Sequence, residues 1–111
     1  MSNIVPTLLV PTQLLASADT SLYTAPTSTT VKIGRAVFCN TSASSVTISA
    51  GITTGGSLGD LLMISDYPLP ANSTYVSPEL AGAVFPANSQ IHAFASVANV
   101  MTLTISGLTI Q

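Results

Sequence analysis

The side chains with the most obvious chemical potential are a serine in a glycine-rich segment and the acids and histidine that follow it. Residues 55–59 read Gly-Gly-Ser-Leu-Gly and match the G-x-S-x-G nucleophile elbow of hydrolases, with Asp60, Asp66 and His92 next in the chain. That elbow needs a strand before it, a helix after it and a large α/β sheet around it. Here the segment joins two strand-like runs in a chain of 111 residues. We therefore interpret it, including Ser57, as a flexible loop and expect no enzymatic activity and no catalytic residue.

A metal or cofactor site is not indicated either. One cysteine, Cys39, and one histidine, His92, provide too few ligands for a tetrahedral zinc site. The acidic residues are scattered singly, whereas a calcium loop gathers its oxygen ligands within about a dozen residues. The alternation of its strand predicts that His92 faces solvent or an interface, with no acidic neighbour evident. Cys39 lies in a strand pattern that is typical of a buried thiol.

Aromatic and glycosylation patterns carry little information. Tyr23, Tyr67 and Tyr75 could form a platform that binds a glycan, but so few aromatic residues favour packing on a sheet. Residues 40–42 and 72–74 match the N-x-S/T sequon. Both lie in predicted turns, where these residue types are common, so we interpret the matches as incidental.

The composition favours a protein that works inside an assembly. The chain has 2 basic and 4 acidic residues and a net charge of −2, whereas ordinary domains are about one-quarter charged. Nearly neutral surfaces promote association; the alternative is a secreted monomer with a neutral surface. Two basic side chains cannot neutralise enough phosphates to bind nucleic acid. No apolar run reaches the roughly 18 residues of a membrane-spanning helix, so neither nucleic acid nor a membrane is an expected partner.

The strongest strand signal lies in residues 30–52, where two β-branched runs joined by a short polar loop predict a hairpin. In the second run one face holds Val46, Ile48, Ala50 and Ile52, and the other holds Thr47, Ser49 and Gly51. This alternation predicts an antiparallel sheet with one side in water. In the first run Val31 and Ile33 are predicted to point inward and Lys32 outward. Gly34 and Arg35 then shift the phase and predict a β-bulge, after which Ala36 and Phe38 face inward.

The rest of the chain consists of short strand patterns between turns. Residues 70–73 and 86–89 are both Pro-Ala-Asn-Ser, which predicts a tight turn before each of the strands 74–77 and 90–97. Other strands are predicted at 13–17, 21–24, 61–65, 100–106 and 108–110. About eight short strands and no convincing helix predict an all-β fold, a single antiparallel β-sandwich or a small barrel.

Residues 1–12 stand apart from the β-sandwich domain predicted for residues 13–111. Pro6 and Pro11 forbid a continuous helix there, so the segment is predicted to be an N-terminal extended arm or an edge strand. An arm would reach a neighbouring subunit, whereas an edge strand would belong to the sandwich of its own chain. The predicted assembly interface consists of the apolar residues of this segment: Ile4, Val5, Leu8, Leu9 and Val10.

Several stretches together resemble the small β-sandwich proteins of tailed-bacteriophage virions. They are Leu-Tyr-Thr-Ala-Pro (22–26), Val-Lys-Ile-Gly-Arg-Ala-Val-Phe-Cys-Asn-Thr (31–41), Ser-Val-Thr-Ile (45–48), Tyr-Pro-Leu-Pro-Ala-Asn-Ser-Thr (67–74) and Met-Thr-Leu-Thr-Ile-Ser-Gly-Leu-Thr-Ile (101–110). The resemblance covers roughly residues 13–111. It implies a jelly-roll-like sandwich, often trimeric, that is used on capsids, necks, tails or fibres, and it brings no catalytic residue with it.

The resemblance implies a non-enzymatic structural protein located in the virion. Its most specific form is a capsid decoration or cement protein that stabilises the particle through oligomeric contacts. The expected partners are further copies of the chain, as a trimer, and a major capsid or tail protein. Two alternatives stay open: a tail, neck or fibre component, and a module that recognises a glycan on the host surface.

Overall fold

The computed structural model describes residues 3–54 and 62–111, which form two antiparallel sheets packed face to face. The strands are β1 (Ile4–Leu14), β2 (Thr20–Thr24), β3 (Thr30–Asn40), β4 (Val46–Thr53), β5 (Ile64–Leu69), β6 (Thr74–Val76), β7 (Val84–Phe85), β8 (Gln90–Ala95) and β9 (Met101–Ile110). The described part of the chain contains no helix. The prediction of an all-β sandwich is confirmed. The sequence did not predict β7, because a strand of two residues has no periodicity to recognise.

Sheet I has the strand order β1-β9-β3-β6, with β7 also paired to β3, and sheet II has the order β2-β8-β4-β5. The core lies between them. Its largest fully buried side chains are Phe38, Leu15, Ile33, Ile48, Leu80, Ile91, Met101, Leu103, Ile105, Val10 and Val31. Burying a side chain of this size stabilises the fold by about 1.5–3 kcal/mol relative to leaving it in water. Both sheets contribute to this set, so neither is stable without the other.

The predicted hairpin is wrong, because its two strands lie in different sheets. β3 pairs with β9 along its whole length, whereas β4 pairs with β8 and β5. The segment between β3 and β4 therefore crosses from sheet I to sheet II. The alternation of apolar residues gives the buried face of a strand but not its neighbour, and the long strand at the end of the chain is the better partner for β3.

Asn40 holds the corner where the chain crosses between the sheets. It is fully buried, and its Nδ2 donates to the carbonyl oxygens of Ser44, Leu69 and Pro70 at 2.8, 3.0 and 3.2 Å. Its Oδ1 accepts a hydrogen bond from the backbone N–H of Ser42 at 2.9 Å. The amide nitrogen and oxygen of Asn40 are thus both hydrogen-bonded inside the fold. Asn40, the first residue of the sequon at 40–42, therefore has a structural role, which agrees with the interpretation of that sequon as incidental.

The predicted β-bulge in β3 is confirmed. The register against β9 shifts between Ile33 and Arg35, and Val31, Ile33, Ala36 and Phe38 are all fully buried while Lys32 is exposed. Gly107 lies across from this bulge, where the backbones approach closely. A Cβ atom at Gly107 would lie 2.1 Å from the carbonyl oxygen of Lys32, so only glycine fits there.

The outer face of β4 is drier than predicted. Of the three residues predicted to face water, Ser49 and Gly51 are buried and only Thr47 is partly exposed. Ser49 Oγ accepts from the backbone N–H of Asp66 at 3.0 Å and donates to Asp66 Oδ1 at 3.4 Å. Asp66 has a φ of 49°, which kinks β5 against β4. The expectation of a wet face is wrong at these two positions; at Ser49 the hydroxyl is bonded to Asp66 of the neighbouring strand.

The two Pro-Ala-Asn-Ser turns are confirmed, with left-handed asparagines at Asn72 (φ 55°) and Asn88 (φ 69°) that lead into β6 and β8. Other predicted boundaries move. β1 already begins at Ile4, β5 begins at Ile64, and the two strands predicted at 100–106 and 108–110 form the single strand β9. Residue 61, where the strand before Asp66 was predicted to start, lies outside the described residues.

Candidate interaction surfaces

The apolar segment near the start of the chain forms the first part of β1, at an edge of sheet I. β1 pairs with β9, so the described residues of this segment are part of the sandwich. Ile4, Val5 and Leu8 are 59%, 43% and 55% exposed, whereas Leu9 and Val10 point into the core and are 5% and 0% exposed. Leu9 and Val10 therefore cannot contact a partner in the folded chain. The apolar side chains available for assembly are those of Ile4, Val5 and Leu8, called the β1 strip below; Ile4 and Leu8 lie on one face of the strand and Val5 on the other.

The outer edge of β1 is blunted by a proline. Asn3 and Gln111 exchange both backbone hydrogen bonds, each at 2.9 Å. Because pairs alternate along an antiparallel ladder, the backbone groups of Ile4, Pro6 and Leu8 point away from β9. Pro6 has no N–H to offer there, which disfavours pairing with a strand of another molecule. Pro6 therefore favours side-chain contacts over sheet extension at this edge.

Both basic side chains of the protein lie on the outer face of sheet I. Lys32 is opposite Leu108 and Arg35 is opposite Ser106 in the β3–β9 register. Strict alternation would place residues 32 and 35 on opposite faces, but the bulge between them turns both outward. Both are exposed, and within residues 3–54 and 62–111 neither lies within ion-pair distance of a carboxylate.

A shallow groove of about 510 Å³ runs beside these cations, between β1, β9 and β3. Gly34 and Gly107 are among the residues that line it. Pro6, Leu8 and Leu108 give it apolar walls. The outer face of sheet I thus combines an apolar groove with positive charge at its rim.

The three tyrosines do not form one surface. Tyr67 of β5 stacks on Tyr75 of β6, with ring centroids 4.4 Å apart, and this stack joins the two sheets at one edge. Tyr75 also lies 6.4 Å from Phe38, centroid to centroid. Tyr23 is on β2, at the opposite edge of sheet II, and packs against the core. This arrangement supports the interpretation as sheet-packing residues and provides no three-ring glycan platform.

The hydroxyl of Tyr75 donates a hydrogen bond to Glu79, and this contact predicts an alkaline limit to stability. Burial first, and then the bond and the charge of Glu79, raise the pKa of Tyr75 to about 12. Because the folded pKa lies above the unfolded value of 10.0, the stabilisation is complete below pH 10 and is lost as the pH rises towards 12. The melting temperature should fall over that interval.

A pH series of thermal unfolding curves checks this expectation with two variants. Tyr75→Phe should remove most of the alkaline fall, whereas Tyr67→Phe keeps the Tyr75 hydroxyl and should retain it. The same hydrogen bond lowers the pKa of Glu79, so its contribution is lost only at acidic pH. An alkaline fall of unchanged size in Tyr75→Phe would contradict the assignment.

His92 is buried and has an acidic partner, so both expectations about it are wrong. It is 4% exposed, its Nδ1 lies 2.7 Å from Asp19 Oδ1, and its Nε2 lies 2.9 Å from Gln90 Oε1. Asp19 is 73 residues away in sequence and comes close because β2 pairs with β8. Both ring nitrogens are engaged within the protein, so His92 ties the start of β2 to β8. Alternation within one strand carries no signal for such a distant partner.

The structure pairs the two described acid and histidine residues of the hydrolase motif with other side chains. Ser57 and Asp60 lie outside the described residues, Asp66 is bound to Ser49, and His92 is bound to Asp19. In the described ranges no group of three His, Cys, Asp or Glu side chains could hold a metal ion. Cys39 has a free thiol and is half-buried rather than fully buried as expected.

Membrane and family comparisons add two negative findings. Among residues 3–54 and 62–111 there is no helix with the length and apolar character to cross a membrane. No protein-family model and no curated protein matches the chain.

Solved structures match the fold of the whole chain. One is a chain in the structure of infectious bursal disease virus Gx strain, with a TM-score of 0.57 and 15% identity over 99% of this chain. Another is from the crystal structure of the infectious bursal disease virus VP2 subviral particle, with a TM-score of 0.56 and 16% identity over 98% of this chain. This chain spans 32% of the length of either one. At these identities the likeness shows the β-sandwich fold alone, and the tailed-phage resemblance stays a prediction.

Proposed function

We propose that this chain is a non-enzymatic structural protein of a virus particle, most specifically a capsid decoration or cement protein of a tailed phage. The observation that carries the proposal is the β1 strip, where Ile4, Val5 and Leu8 are 59%, 43% and 55% exposed on a nearly uncharged surface. Exposed apolar patches of this kind mark interaction sites. The fold shared with chains of a virus particle and the phage-like sequence stretches support the same role.

The energetics favour many weak, identical contacts. Each side chain of the β1 strip would stabilise a complex by about 1–2 kcal/mol if fully buried. The strip is already ordered against β9, so docking has no backbone entropy cost for folding this strand. A modest gain per copy is sufficient when many copies occupy one particle, because linked copies bind with a high effective concentration.

The proposed partners follow from this role. They are further copies of the chain, proposed as a trimer, and a major capsid or tail protein, with the virion as the location. The alternative within the same role is a position on the tail, neck or fibre. Electron microscopy of particles with labelled copies of the chain distinguishes these positions from the capsid. Deleting residues 2–11 would remove most of β1 from its own sheet, so substitution of exposed side chains is the sharper test.

Virus particles assembled without this chain provide the assay. The double variant Ile4→Ser/Val5→Ser should keep its melting temperature within a few degrees, since both side chains are exposed, yet lose most of its binding to particles. Leu14→Ser/Val97→Ser removes two other side chains, each 49% exposed, and should bind like wild type. Full occupancy by Ile4→Ser/Val5→Ser, or no binding of the wild type, would contradict the proposal.

A further inference from the structure

Within residues 3–54 and 62–111, the two cations of the chain have no acidic partner at ion-pair distance. Lys32 and Arg35 are exposed on the outer face of sheet I, and the one ion pair in the described residues joins His92 to Asp19. The groove beside them has apolar walls from Pro6, Leu8 and Leu108. An occupant that matches this surface must therefore combine an apolar side chain with a negative charge.

The chain carries such an occupant on its other sheet. Asp66 lies in β5 and has a left-handed φ of 49°. It is exposed, and it lies near Met63 and Tyr67 in the sequence, whose side chains are 39% and 40% exposed. We call Met63, Asp66 and Tyr67 the β5 knob. The knob combines the negative charge and the apolar side chains that this surface matches.

The groove and the β5 knob cannot meet within one molecule. The groove lies between β1, β9 and β3 on the outer face of sheet I, and β5 is the edge strand of sheet II farthest from β2. The two sheets pack through their inner faces, so the groove faces away from β5 of the same chain. Only a knob from another copy can reach it.

We propose that a second copy of this chain docks its β5 knob in the groove, with Asp66 beside Lys32 and Arg35. The contact uses two different surfaces, so every copy can donate a knob to one neighbour and receive one from another. Such a head-to-tail interface generates closed rings, or open chains when the rotation does not close. This inference rests on the proposed function, because that role requires copies of the chain to associate with one another.

Part of the β1 strip lies outside this interface and stays available for binding to the particle. Leu8 lines the groove, whereas Ile4 and Val5 lie before it on β1 and are not among the residues that line it. Ile4 and Val5 of each copy would thus stay outside the interface between copies. For this reason Ile4→Ser/Val5→Ser tests particle binding without touching the groove.

Charge exchange tests the interface on the purified chain, without particles. Sedimentation velocity over a concentration series should show the wild type as an oligomer that dissociates with added salt, since exposed charges are screened. Arg35→Glu and Asp66→Arg should each weaken self-association by about 10- to 100-fold, because like charges then face each other. The double variant Arg35→Glu/Asp66→Arg should restore it. If a single variant lost self-association only because it misfolded, adding the second substitution would not restore it.

A charge control completes the design. Val97→Arg adds a positive charge at a side chain that is 49% exposed and lies outside the β5 knob, and it should leave the oligomer intact. A wild type that stays monomeric at all concentrations, or a double variant that fails to recover, overturns the interface. If such a monomer still occupies particles, the particle-binding part of the proposed function stands and only the interface between copies is wrong.

Discussion

Replacing Asn40 with aspartate should lower the free energy of unfolding by about 3–5 kcal/mol at neutral pH, because it buries an uncompensated charge. The Asn40 amide nitrogen donates to three carbonyl oxygens, those of Ser44, Leu69 and Pro70. A carboxylate oxygen in its place would face these acceptors without a proton to share. Since these bonds hold the crossing between sheets I and II, the loss should appear as global destabilisation in urea denaturation.

Asn72 offers a matched control for this prediction. It also begins a sequon, but it is exposed and its side chain is not needed at the sheet crossing. Its φ of 55° is a left-handed conformation that aspartate adopts nearly as readily as asparagine. Asn72→Asp should therefore change the free energy of unfolding by no more than about 0.5 kcal/mol. Equal stability of Asn40→Asp and Asn72→Asp would contradict the role assigned to Asn40.

The contrast between these two asparagines shows what the sequence could reveal about the fold. The local pattern correctly predicted which side chains of β3 face the core, since burial alternates with the pleat. In β4 it predicted the buried Val46, Ile48 and Ala50 but missed the burial of Ser49 and Gly51. It could not predict that β3 pairs with β9, because residues 30 and 110 are far apart in the sequence and come together only in the folded protein. Local patterns therefore predict the strands and turns, but they predict the wrong neighbour for β3.

The candidate surfaces follow the same division. The Gly34 phase shift was visible in the sequence, and it is what places Lys32 and Arg35 on one face. The apolar segment of β1 was also recognised, but its register against β9 was needed to show that Leu9 and Val10 are buried. The pairs His92–Asp19 and Tyr67–Tyr75 join separate strands. Such contacts depend on the sheet order, which local periodicity does not encode.

Replacing Gly107 with alanine should destabilise the protein by about 3 kcal/mol, because the added methyl group overpacks the closest approach of β3 and β9. The new Cβ would lie 2.1 Å from the carbonyl oxygen of Lys32 and 3.1 Å from the backbone nitrogen of Gly34. These are backbone atoms, so no side chain can rotate away to make room. The two strands would have to separate at the bulge, in the middle of sheet I.

Gly34→Ala is the matched control, since it adds the same methyl group on the opposite strand of the same bulge. Its Cβ would lie 3.4 Å from the carbonyl oxygen of Ser106, a contact that a shift of a few tenths of an ångström relieves. We expect a loss below about 1 kcal/mol, measured by urea denaturation of both variants. Similar losses in the two would mean that β3 and β9 are not held at this spacing, and the groove between them would then not be a fixed surface for a neighbour.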